Sequence, residues 1–81
     1  MQIRVLFFGV TREITGLQDD RAQLAEGARL GELFDQYAGR FPRLGEMRRS
    51  LMLAVNQSFG TPERVLREND EVAFLPPVSG G

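Results

Sequence analysis

The 81-residue chain is long enough for one small domain, and its 42% hydrophobic and 26% charged residues are typical of a globular fold rather than a disordered chain. The net charge is −1, and ten Arg residues are scattered among eleven acidic ones, so the sequence lacks the basic face that nucleic-acid binding requires. Because Cys, His and Lys are absent, disulfides and thiolate zinc sites are excluded, and so few candidates remain for a general base or nucleophile that we do not expect a self-sufficient enzyme.

No feature of the sequence directs the chain to a membrane or out of the cell. A charged segment followed by a long apolar run does not open the chain, and no apolar run approaches the length of a membrane span. A short secreted domain often carries disulfides. We therefore expect a cytoplasmic protein. The acidic residues also show no metal-binding spacing, so no metal site is expected.

The N-terminal part of the chain predicts a β-hairpin. Residues 3–8 are mostly β-branched, aliphatic or aromatic and end at Gly9, which is typical of a strand. Residues 11–17 are predicted to form a polar turn that Gly16 closes. Residues 21–25 then predict a weak second strand, which pairs with the first.

One amphipathic helix is predicted over residues 30–41. Apolar side chains recur there at i, i+3, i+4, i+7 and i+11, namely Leu30, Leu33, Phe34, Tyr37 and Phe41. Pro42 is expected to end the helix, because proline cannot continue the backbone hydrogen-bond ladder. No Ser, Thr, Asp or Asn stands at the helix start, so its capping is not evident.

The C-terminal half predicts three further strands. Residues 51–56 form a buried strand, residues 57–59 begin a short one, and residues 71–75 form the last. A turn at residues 60–62 follows the short strand, and Asn69, which tolerates the left-handed conformation, lies in a turn before the last strand. The order β-β-α-β-β-β predicts an α+β domain over residues 1–75, with a mixed sheet of about five strands and one main helix on one face.

Strand alternation divides the apolar residues of this sheet between two faces. The helix-covered face is predicted to hold Val5, Phe7, Val55, Val72 and Phe74. The other face is predicted to hold Phe8 and Leu75, with Leu6, Ala73 and Phe59 beside them. Because no second helix is available to cover these side chains, we predict an interaction patch; packing into the core is the alternative for each of them.

Residues 76–81 predict an extended tail beyond the domain. Pro76 and Pro77 break the last strand and favour extended backbone, and residues at about 3.3 Å each would reach roughly 20 Å. Gly80 and Gly81 lack a Cβ, so the end of the chain could enter a slot too narrow for a side chain. For the same reason, no side chain shields the terminal carbonyl from an approaching nucleophile.

Such a terminus is suited to activation of its carboxylate. Formation of an acyl adenylate with ATP gives the Gly81 carboxylate a good leaving group, after which the carbonyl could accept sulfide, an amine or a thiol. Ser79 has no His or Lys to activate it, so we interpret it as a polar tail contact rather than a nucleophile. The alternative is a frayed C-terminus without function.

Segments spread over the whole chain resemble a known family. They are VLFF at residues 5–8, Arg12-Glu13, Gly16, AVNQ at 54–57, DEVAF at 70–74 and PPVSGG at 76–81. On these residues the chain resembles the MoaD family of ubiquitin-like sulfur carriers, the small subunits of molybdopterin synthase. The ending is specific, because thiamine-pathway carriers also finish in Gly-Gly but usually lack the Pro-Pro-Val lead-in. The chain departs from the family at Gly9, usually Ala, and at Asn69, usually Gly.

The resemblance implies a β-grasp fold that binds no cofactor. It implies that an E1-like (MoeB-like) adenylyltransferase activates the Gly81 carboxylate with ATP, and that a sulfurtransferase system converts it to a thiocarboxylate. The tail would then insert into the large (MoaE-like) synthase subunit, which carries the catalytic residues, and donate sulfur to precursor Z to make molybdopterin. The inserted residues would be Pro76, Pro77, Val78, Ser79, Gly80 and Gly81, and the assembly in the family is a heterotetramer.

The resemblance also implies that Phe8, Phe59 and Leu75 contact both the large subunit and the activating enzyme. Arg12 could form part of the rim of this interface, although a solvated charge pair with Glu13 is the simpler interpretation. Two other classes of function stay open. One is a carrier or protein modifier of the same fold, serving thiamine, cysteine or transfer-RNA thiolation; the other is an interaction domain with an inactive tail.

Overall fold

A computed structural model describes residues 1–77, which form one five-stranded mixed sheet and three helices. In chain order the elements are β1 (Gln2–Phe7), α1 (Val10–Thr15), β2 (Asp19–Gln23), α2 (Leu30–Arg40), α3 (Pro42–Glu46), β3 (Met52–Val55), β4 (Ser58–Phe59) and β5 (Glu71–Leu75). The α+β class predicted from the sequence is confirmed, and β5 has the predicted bounds.

The strands lie in the order β2-β1-β5-β3-β4. β1 and β5 run parallel, and every other neighbouring pair is antiparallel. Val5 lies opposite Val72 and Phe7 opposite Phe74, while β3 pairs Val55 with Val72. The first and last strands therefore lie side by side, which brings the end of β1 next to the residues from which the tail leaves.

The predicted buried face is confirmed. Five side chains on it have no exposed surface: Val5, Phe7, Val55, Val72 and Phe74. The Tyr37 ring of α2 packs edge-on against the rings of Phe7, at a centroid distance of 5.4 Å, and of Phe74, at 5.8 Å. Phe34 stacks on Phe74 at 5.9 Å. These aromatic contacts add to the apolar area that holds α2 against one side of the sheet.

The polar turn predicted for residues 11–17 is wrong, because Val10–Thr15 form helix α1. The helix ends at Gly16, which has a φ of 72° and whose N–H donates to the Arg12 carbonyl at 2.8 Å. Two β-branched threonines lower the helix propensity of a six-residue segment that is too short to show a period. Gly16 was the one feature of the sequence that indicated this helix, because glycine commonly follows the last residue of a helix.

The predicted long helix ends one residue early and is followed by a second, short helix. Phe41 caps α2, and Pro42 begins α3, where the first position needs no N–H donor. At the start of α2 the Glu32 carboxylate accepts a hydrogen bond from the Arg29 N–H at 3.0 Å. This contact supplies the capping that the sequence did not reveal.

Two turns decide where the C-terminal strands begin and end. Asn56 and Gln57 both have positive φ, 50° and 72°, in the two-residue turn that joins β3 to β4, so β3 ends at Val55 and not at residue 56 as predicted. The left-handed conformation predicted for Asn69 is confirmed by its φ of 67°, and its N–H donates to the Gln2 carbonyl at 2.8 Å.

Asp20 links β2 to helix α2. Its carboxylate accepts hydrogen bonds from the Tyr37 hydroxyl at 2.8 Å and the Arg40 guanidinium at 3.3 Å. Partial burial acts to raise the pKa of Asp20, but hydrogen bonds from Tyr37, the Arg21 backbone and Arg40, with the charge of Arg40, outweigh it and hold the pKa below its usual value. Burial first, then the hydrogen bond and charge of Asp20, raise the pKa of Tyr37, so the hydroxyl keeps its proton.

We expect Asp20→Asn to lower the free energy of unfolding at neutral pH by about 1 kcal/mol, through weakened hydrogen bonds. Because the folded-state pKa is depressed, the carboxylate stabilises the fold above its unfolded pKa of about 3.9, and this contribution disappears as the pH falls through the folded-state pKa. The free energies of unfolding of variant and wild type, measured with urea, should therefore become equal at acidic pH. Asp19→Asn is the control, since Asp19 makes no side-chain hydrogen bond within residues 1–77; an equal loss there would contradict the assignment.

Candidate functional site

The sheet face opposite α2 carries a continuous apolar row. Leu6 lies opposite Ala73, Ala73 opposite Ala54, and Ala54 opposite Phe59. Residues that face each other in register share one side of a sheet, so these four side chains form a single row. It spans four strands, which is about 14 Å at the usual strand spacing. At its end Phe59 exposes 68% of its surface.

A second row lies nearer the ends of β1 and β5. Met52 lies opposite Leu75. Phe8 comes two residues after Leu6, so its side chain points to the same side of the sheet. Phe8 is 39% exposed, Met52 is 47% exposed, and Leu75 is half-buried. The two rows together form what we term the open face, which consists of Leu6, Phe8, Met52, Ala54, Phe59, Ala73 and Leu75.

Charged side chains border the open face. Arg4 lies opposite Glu71, with 3.9 Å between guanidinium nitrogen and carboxylate oxygen, and Arg21 lies on the other side of Arg4. Asp19 lies opposite Leu6 at the end of the first row. Exposed ion pairs of this kind add little stability. An apolar centre with a charged rim is instead the pattern of a protein recognition surface.

The structure brings three of the four residues predicted for the interface onto the open face. Phe8, Phe59 and Leu75 lie there, all at least partly exposed. Arg12 does not; it is exposed on α1, and no ion pair joins it to Glu13 in the part of the chain that the structure describes. Met52 was not predicted for the interface, although the alternation of β3 places it on the same side as Ala54.

The tail leaves the fold between the open face and the start of α1. Pro76 is half-buried and Pro77 is exposed. A Cβ added to Gly9 would lie 2.9 Å from Pro76 Cγ, so the absence of a side chain at Gly9 lets Pro76 pack where it does. Val78, Ser79, Gly80 and Gly81, which are predicted to enter the partner, lie outside the described residues.

Metal sites, membrane spans and buried polar groups complete the description of residues 1–77. No three His, Cys, Asp or Glu side chains lie together there in a group that could hold a metal ion. None of the helices described is long and apolar enough to cross a bilayer. Apart from Tyr37, whose hydroxyl donates a hydrogen bond to Asp20, the one buried side chain in this range with a polar group is Thr11, and it is hydrogen-bonded to backbone.

Comparison with known proteins identifies the family. The sequence profile of the ThiS family matches residues 5–81. The chain belongs to the ThiS family. Among its relatives are proteins named molybdopterin synthase sulfur carrier subunit. The one from Chlamydomonas reinhardtii is 36% identical over all of both chains. Those from Arabidopsis thaliana and Homo sapiens are 35% and 32% identical, over 100% and 99% of this chain and 84% and 94% of their own.

Solved structures confirm the predicted β-grasp fold for this ThiS-family protein. SAMP1 from Haloferax volcanii superposes with a TM-score of 0.86 over all of both chains, at 23% identity, and so bears on the fold alone. A chain in the complex of subunits 1 and 2 of molybdopterin-converting factor from Helicobacter pylori superposes with a TM-score of 0.70 over all of both chains, at 27% identity.

Proposed function

We propose that this protein is the sulfur-carrier subunit of a molybdopterin synthase. Relatives that bear this name share about a third of its residues over 84–100% of their own length. The structural observation that carries the proposal is the position of the open face beside the root of a tail that ends in Gly80-Gly81. The domain thus has a surface by which a partner can hold it and an end on which a partner can act.

The proposed chemistry takes place on the terminal carboxylate. A carboxylate oxygen of Gly81 attacks the α-phosphorus of ATP, which releases pyrophosphate and leaves an acyl adenylate. A persulfide on a sulfurtransferase then attacks the carbonyl and expels AMP, which leaves an acyl disulfide. A second thiol of the donor system reduces this bond, so that the thiocarboxylate is released and a disulfide forms on the donor. The dithiolene of molybdopterin holds two sulfur atoms, so two thiocarboxylate carriers each transfer one sulfur to a molecule of precursor Z, and water adds at each Gly81 carbonyl to restore the carboxylate.

The catalytic groups for these steps are supplied by partners in this proposal. The whole sequence lacks His, Cys and Lys, the side chains that most often serve as bases and nucleophiles. An E1-like adenylyltransferase would hold the ATP, and the large synthase subunit would hold precursor Z and the catalytic residues. The carrier contributes Gly81, with Pro76 and Pro77 as its spacer.

The open face is the proposed docking surface for both partners. Phe59, Met52 and Phe8 are large apolar side chains left 68%, 47% and 39% exposed on it. Complete burial of a side chain of this size gains roughly 1.5–3 kcal/mol, and burial of the part still exposed gains a corresponding share of that. Aromatic side chains of this kind often dominate the energy of protein interfaces. Because the tail starts at the edge of this face, docking also brings the reactive end towards the partner.

Deletion of Gly81 should abolish ATP–pyrophosphate exchange by the activating enzyme while the domain stays folded, since the last strand ends at Leu75. The wild-type chain, given ATP, the activating enzyme and a sulfur source, should gain about 16 Da when sulfur replaces one oxygen on the activated carbonyl. Ser79→Ala is the control that alters the tail without removing its end, and it should gain the same mass.

Exchange at the wild-type rate with the shortened chain would contradict the proposal. Isopeptide-linked conjugates to other proteins, in place of the thiocarboxylate, would show that the protein is a modifier of the same fold.

Phe8→Asp and Phe59→Asp should each weaken binding to the large subunit at least tenfold while leaving the fold intact, because a carboxylate would be buried against an apolar surface. Isothermal titration calorimetry measures the affinity, and circular dichroism checks the fold. Val65→Asp is the matched control: Val65 is 47% exposed but lies opposite Arg29, away from the open face. Equal weakening by all three variants would show that the open face has no special part in binding.

A further inference from the structure

The hydroxyl of Thr11 sits between the ends of β1 and β5. Thr11 is fully buried, and its Oγ1 accepts a hydrogen bond from the Phe8 N–H at 2.9 Å and donates to the Phe8 carbonyl at 2.6 Å. The same oxygen lies 3.4 Å from the Phe74 carbonyl, which also accepts from the Phe8 N–H at 3.3 Å. Because the one hydroxyl proton goes to the Phe8 carbonyl, the link to the last strand runs through the Phe8 N–H, which Thr11 Oγ1 and the Phe74 carbonyl share.

The residues around this hydroxyl lie close to the start of the tail. Phe8 belongs to the open face, and Phe74 precedes Pro76 by two residues in the strand that carries the tail. Thr11 also lies in the turn that begins with Gly9, against which Pro76 packs. The direction in which Pro76 leaves the fold is thus tied, through Thr11, to the position of the open face.

We propose that Thr11 is a positioning residue, whose hydroxyl fixes the angle between the open face and the tail. The proposal rests on the proposed sulfur-carrier function. When a partner holds the open face, the angle at Pro76 decides where the end of the chain is delivered.

A small change in the angle at which the tail leaves β5 is expected to lower the reaction rate strongly. A tilt of about 10° at Leu75 moves an atom two residues further on, roughly 7 Å along extended backbone, by about 1 Å. The fixed φ of Pro76 and Pro77 carries such a tilt through to the last residue that the structure describes. A misplacement of about 1 Å at a reacting centre can already cost about a hundredfold in rate.

The test compares Thr11→Val, which keeps the shape of the side chain and removes the hydroxyl, with Thr11→Ser, which keeps the hydroxyl. Both full-length variants are assayed with the adenylyltransferase by ATP–pyrophosphate exchange, well below their unfolding temperatures. Thr11→Val should lower kcat at least tenfold and change KM for the carrier less than threefold, while Thr11→Ser stays within twofold of wild type in both. In the free Thr11→Val protein, the nuclear Overhauser contacts between Gly9 and Pro76 should weaken, and in Thr11→Ser they should persist.

If Thr11 served only to stabilise the fold, the kinetic result would be different. Folded Thr11→Val would then turn over like Thr11→Ser, and that result overturns the inference. If Thr11→Val does not fold, Thr11→Ala replaces it in the same comparison with Thr11→Ser. A wild-type chain that supports no exchange would instead reject the sulfur-carrier function itself, so the two failures are distinguishable.

Discussion

The parallel pairing of β1 with β5 determines what this protein presents to its surroundings. Because Val5 lies opposite Val72 and Phe7 opposite Phe74, the chain between these strands must fold back over one side of the sheet. Helix α2 (Leu30–Arg40) covers that side with its apolar stripe. The opposite side leaves Phe8, Met52 and Phe59 exposed, and the same pairing places Pro76, where the tail begins, at the edge of that side.

This arrangement separates recognition from chemistry. A domain of this size can build only one core, so the second face of its sheet is available for a partner. The sequence holds none of the three side-chain types that most often act as nucleophiles or bases, and its distinctive chemical group is the carboxylate at Gly81. In the proposed function the folded part determines which proteins act on that carboxylate, and the tail determines how far from the fold they act.

Periodicity was sufficient to predict the sheet side of the core and the apolar stripe of α2, but not the buried Leu44 and Leu66, which lie outside both patterns. Contacts between distant residues were not visible in it either. Alternation in β1 and β5 assigned Phe7 and Phe8 to opposite faces, and both assignments hold. Helix α1 was missed because a segment of six residues is too short to show a helical period. Its threonines also have low helix propensity, and the contacts of Thr11 with Phe8 and Phe74 are not visible in the sequence. The link between Asp20 and Tyr37 and the packing of Pro76 on Gly9 join distant segments, so no local pattern signals them.

In the proposed function, the end of this chain is itself the sulfur donor. The direct measurement is a single turnover in which the carrier, prepared chemically as the Gly81 thiocarboxylate, is mixed with the large subunit and precursor Z, without ATP or activating enzyme. We expect molybdopterin to form in proportion to the carrier consumed, while the mass of the carrier falls by about 16 Da as its carboxylate is restored. A carrier that stays fully sulfurated while product forms, or that loses its sulfur without product, would contradict the account.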